Sequence, residues 1–68
     1  MRMNMRAERA RKSLTTKEVA QLVGVSANQI SNWELEKQSP SAENIIKLSH
    51  LYGCSPEYLM LSDGRIQH

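Results

Sequence analysis

Few residues in this chain could make or break a bond. There is one cysteine, Cys54, and two histidines, His50 and His68, with no metal-ligand spacing among them. No nucleophile pairs with a base, no carboxylates pair in a cleft-forming context, and no phosphate-cradling loop is present. The sequence therefore excludes metal, cofactor and enzymatic chemistry as expectations. The concentration of useful side chains lies at residues 25–36, VSANQISNWELE, where Asn28, Gln29, Ser31 and Asn32 fall between the apolar Val25, Ile30 and Trp33. Amides are mediocre helix formers, and solvated helix faces usually carry Lys, Glu and Arg. A short helix with a face of side chains that both donate and accept hydrogen bonds is suited to non-covalent recognition.

The elements that position this face are marked by helix signals. Thr15-x-x-Glu18 and Ser26-x-x-Gln29 are capping boxes, Ser41 precedes Ala42-Glu43, and Ser55 precedes Pro56-Glu57. Gly24, Gly53 and Gly64 each close a periodic segment. These predict five helices, over 3–12, 16–23, 27–36, 42–52 and 56–62, with no strand because no segment alternates with a period of two. Met5, Val19, Ala20, Val23, Val25, Ile30, Trp33, Ile45, Leu48, Leu51 and Leu59 fall on one face of each helix and should form a single core. The fold class is an all-α, compact five-helix bundle in one domain, residues 1–68.

Between helices two and three stand only Gly24, Val25 and Ser26. A link this short holds two helices at a steep angle, so residues 16–35 read as a helix-turn-helix. Ala20 sits where the helix backbones approach, Gly24 where the chain turns with positive φ, and Ile30 where the third helix packs back on the second. Trp33 belongs to the core.

Net charge is +2, unevenly placed. Residues 1–25 hold six basic side chains against two acids, and residues 26–68 hold three against five. A basic end suggests a polyanion partner, although a solvated helix face accounts for the charges as well. The longest apolar run, Tyr58 to Leu61, is too short for a membrane span or a signal-peptide core, and one cysteine fits a reducing compartment, so the expectation is a soluble intracellular protein.

From about Met5 to Gly64 the chain resembles the Cro/cI-like helix-turn-helix domains of phage repressors and xenobiotic-response-element-type regulators. The likeness rests on LTTKEVAQLVGVSANQISNWE followed by SPSAENIIKLSHLYGCSPEYLM, and the second half is similar to the amino-terminal domains of lambdoid phage repressors. The resemblance implies a cytoplasmic transcriptional regulator, a repressor of a bacterial cell or phage-infected host, that binds an operator in double-stranded DNA with no small-molecule ligand. The third helix would enter the major groove, with Ala27, Asn28 and Asn32 at the base-reading positions and Gln29 beside them. Asn can bond adenine N6 and N7, and the Ala27 methyl can meet a thymine methyl.

Thr15 and Thr16 would open the second helix onto the DNA backbone, where family members usually carry Gln at the second position, with Gln21 and Lys37 as further phosphate contacts. Arg9 and Glu34 match an ion pair of such repressors. Because one helix reads few base pairs, a homodimer on two half-sites about one helical turn apart is expected. Its surface would be the last helix, where Tyr58, Met60 and Leu61 should not all find room in so small a core. The alternative is a protein-interaction module, an antitoxin or a regulator subunit with the same fold. One departure stands out: the family often has Gly near Glu36, and here either Glu36 takes a left-handed conformation or the helix runs on a turn.

Overall fold

The computed structural model describes residues 1–61. It contains five α-helices and, among the described residues, no strand: α1 (Met3–Arg11), α2 (Thr16–Val23), α3 (Ala27–Glu34), α4 (Ala42–Tyr52) and α5 (Pro56–Met60). Four of the five begin on a side-chain cap. Thr15 and Ser26 each accept a hydrogen bond from the backbone amide three residues on, and the side chains of Glu18 and Gln29 accept in turn from the cap residue's amide, completing both capping boxes. Ser41 and Ser55 cap α4 and α5 in the same way, the latter with Pro56 in the first turn. None of these helices is long and apolar enough to cross a membrane.

The helix ends differ from the expected ones at three places. The first helix stops at Arg11 instead of residue 12 and the third at Glu34 instead of residue 36; the fifth stops at Met60, and residue 62 and Gly64 lie outside the described residues. The ends fall early at α1 and α3 because the chain turns left-handed just beyond them, at Ser13 (φ 58°) and Glu36 (φ 64°). Both are Schellman turns. After α1 the Leu14 amide reaches Arg9 O and the Ser13 amide reaches Ala10 O; after α3 the Lys37 amide reaches Asn32 O at 2.9 Å and the Glu36 amide reaches Trp33 O at 3.4 Å. Of the two conformations open to Glu36, the structure takes the left-handed one.

α2 and α3 share the most extensive helix-helix interface, across the turn at Gly24 (φ 88°), whose amide and that of Val25 both donate to Ala20 O. The fully buried core is Met5, Val19, Ala20, Val23, Ile30, Trp33, Leu48, Tyr52 and Leu59. Val25, Ile45 and Leu51, expected inside, are half-buried and pack against it from the rim. A domain of this size has too little interior to enclose every apolar residue. Tyr52 takes an inner place instead. Its hydroxyl is buried without a hydrogen-bond partner among the described residues, and burial raises its pKa above the usual phenol value, with the nearby Glu34 carboxylate adding to the rise.

Candidate nucleic-acid interface

The amide face of α3 begins at its capping box. Asn28 is exposed and Asn32, one turn further along the same face, is half-buried. Neither side chain has a hydrogen-bond partner among the described residues, so both keep a donor and an acceptor for a partner. Gln29 is exposed but already half used. Its Oε1 accepts from the Ser26 amide at 3.1 Å and lies 3.4 Å from Ser26 Oγ. Only its NH2 group is left to donate, so it cannot make the paired donor-acceptor contact open to Asn. Ala27 is half-buried and packs against the core.

At the start of α2 the cap uses both polar groups of Thr15. Thr15 Oγ1 accepts from the Glu18 amide at 3.1 Å, and the Thr15 amide donates to Glu18 Oε1 at 2.8 Å. The amides of Thr16 and Lys17, which no preceding turn can satisfy, remain as the donors that a helix start offers to an anion. Lys17 is exposed beside them with no ion pair among the described residues, a phosphate candidate that the family likeness does not single out, although it belongs to the basic excess of the first 25 residues. Thr16 is half-buried, and Gln21 and Lys37 are exposed.

The far end of α3 is held from α1. Arg9 grips Glu34 with a fork, Nε to Oε2 at 2.7 Å and Nη2 to Oε1 at 3.1 Å, and its Nη1 donates to Leu14 O at 3.0 Å. Glu34 is 4% exposed. The bond to this carboxylate raises the Arg9 pKa above its already high value, outweighing desolvation. Arg2, which no sequence pattern singled out, is 7% exposed. Its amide donates to Glu34 O at 2.8 Å, its Nη1 to Trp33 O at 2.7 Å and Gln38 O at 2.9 Å, and its Nη2 to Ser39 Oγ at 2.9 Å. Two of the six basic residues of the first 25 are thus spent inside the protein, and Arg11 pairs with Glu8. Arg6, Lys12 and Lys17 are the exposed basic residues of that stretch without an ion pair among the described residues.

Tyr58, Met60 and Leu61 are all half-buried, and Tyr58 and Met60 pack against the core. The expected apolar surplus on the last helix is therefore smaller than its composition suggests. α5 is gripped by both α1 and α4, and Asn4 Nδ2 donates to Tyr58 O at 3.0 Å. The large apolar side chains most exposed among the described residues are Met3, Leu22, Leu35 and Ile46. Cys54 is half-buried, and burial raises its thiol pKa, which suits a packed thiol and not a reactive thiolate.

A model of the helix-turn-helix family matches residues 5–59. Repressor protein C2 of Salmonella phage P22 is 37% identical over 59 residues, and the HTH-type transcriptional regulator ImmR of Bacillus subtilis (strain 168) is 34% identical over 59 residues. Each match takes in 87% of this chain; the chain spans 27% of the first relative's length and 46% of the second's. The crystal structure of the P22 c2 repressor in complex with a synthetic operator superposes with a TM-score of 0.79 at 36% identity, covering 90% of this chain and 89% of that one. The solution structure of the P22 c2 DNA-binding domain gives 0.77 at 33% identity, covering 97% and 87%.

Proposed function

The chain belongs to the Cro/cI-type helix-turn-helix family, and on that premise we propose that it is a sequence-specific transcriptional repressor that inserts α3 into the major groove of operator DNA as a homodimer. The observation that carries this reading is the unpartnered amide pair Asn28 and Asn32 on one face of α3, in a chain that superposes over nine-tenths of its length on a repressor solved with operator. Asn28 and Asn32 read base edges, the half-buried Ala27 offers its methyl to a thymine methyl, and Gln29 donates one further bond. Thr15, Thr16, Gln21 and Lys37 face phosphate, joined by Lys17. The dimer forms through the half-exposed Tyr58, Met60 and Leu61, and the site of action is the cytoplasm. No catalytic step is part of the reading.

Selection of bound sites from random duplexes yields the operator for the test. Asn28→Ala and Asn32→Ala each cost about 1–3 kcal/mol on that operator and little on a scrambled duplex. Lys37→Ala weakens both alike and lowers the salt slope by roughly one. Equal losses on both duplexes for the Asn variants sink base reading, and a wild-type protein with almost no salt dependence points to a partner protein in place of DNA. A concentration-independent monomer in sedimentation, free and on operator, counts against the dimer.

A further inference from the structure

We infer that Arg2 is a positioning residue that locks the segment after the recognition helix so that Lys37 is presented to the DNA backbone. The inference rests on the phosphate role proposed for Lys37. Arg2 is too buried to meet DNA itself. The four hydrogen bonds it donates fall on both sides of Lys37: Glu34 O from its backbone amide and Trp33 O from its guanidinium before it, Gln38 O and Ser39 Oγ from its guanidinium after it. The segment that leaves α3 through a left-handed Glu36 buries none of its side chains, since Leu35 through Ser39 are all exposed, and Glu36 is paired at the surface with the Met1 ammonium. The guanidinium supplies that hold. A flat, rigid fork spreads its donors over two carbonyls and a hydroxyl, whereas the three donors of an ammonium converge on one compact nitrogen at the end of a flexible stem. Its charge also lies at the negative end of α3, where the last carbonyls lack helical partners.

The clamp has a local signature, because the Lys37 and Gln38 amides both donate to Asn32 O, at 2.9 and 3.3 Å. In Arg2→Ala these two amides should exchange with solvent on the order of tenfold faster, while amides within α2 keep their protection. On scrambled duplex the salt slope should fall by roughly one, although no surface charge has been removed. Arg2→Ala should add little to Lys37→Ala when the two are combined, and Arg2→Lys should recover only part of the loss. Unchanged exchange at Lys37 and Gln38, or additive losses in the double variant, overturns the inference. So does loss of protection throughout the domain in Arg2→Ala and Arg2→Lys alike, because Arg2 then holds the whole fold and not this segment. If the wild-type protein binds no duplex, the proposed function falls, and the exchange measurement alone decides the clamp.

Discussion

The two ends of α3 are held in opposite ways. At its start, Ser26 and Gln29 satisfy each other across three residues, and the side chains beyond them are left free. At its end the Schellman turn takes Asn32 O and Trp33 O locally, but the side-chain holds come from afar: Glu34 is gripped by Arg9, 25 residues away, and Trp33 O also by Arg2, 31 residues away. The start is a local solution written in one stretch of sequence. The end adds to its local turn a tertiary hold that exists only once α1 has docked. The helix proposed to read DNA is thereby fixed at its far end by the body of the domain, with the first turn held by its own cap.

This contrast can be broken at either end. The largest effect is expected from Glu34→Gln, which keeps the shape but leaves the Arg9 guanidinium without its carboxylate; it should cost about 2–3 kcal/mol of stability, read as a lower midpoint in denaturant titration. An unchanged midpoint would mean that the fork merely replaces hydration. Ser26→Ala removes the local hold and should cost about 1 kcal/mol, with faster amide exchange confined to the first turn of α3; spread of that effect to Lys37 and Gln38 would deny the independence of the two ends. The smallest change sharpens the contrast. Glu36→Gly relieves a left-handed side chain and should stabilise the domain by up to about 1 kcal/mol, less whatever the exposed 2.6 Å contact between Glu36 and the Met1 ammonium contributes. A loss of stability in this variant would show that the Glu36 side chain matters more than its backbone.

What was legible in the sequence follows the same division. Thr15 with Glu18, Ser26 with Gln29, and Ser41 and Ser55 as caps all act within three residues, and each stands where its spacing puts it. Gly24 and Gly53 mark their left-handed turns because glycine has little other reason to be there. Glu36 showed only that something had to give. Gln29 carried two readings, cap and base contact, without any sign that the first consumes the acceptor needed for the second. Arg2 was illegible: counted among basic residues near one end, it belonged to a charge asymmetry, and only the fold brings it onto the carbonyls of α3. Tyr52 was hidden by its hydroxyl, which favours the surface in sequence and stands unpaired in the core in fact. The base-reading assignment of Ala27, Asn28 and Asn32 came from family likeness, since spacing alone gives a face and not its ligand.

The freedom of Asn28 and Asn32 has an evolutionary consequence. Neither side chain is tied into the domain, and the helix that bears them is anchored through Ser26, Ile30, Trp33 and Glu34 instead. Surface positions without such ties tolerate replacement within about half a kcal/mol. If this face reads DNA as proposed, mutation can retarget it without first finding a compensating change in the fold, and descendants of one stable scaffold are free to diverge in what they recognise.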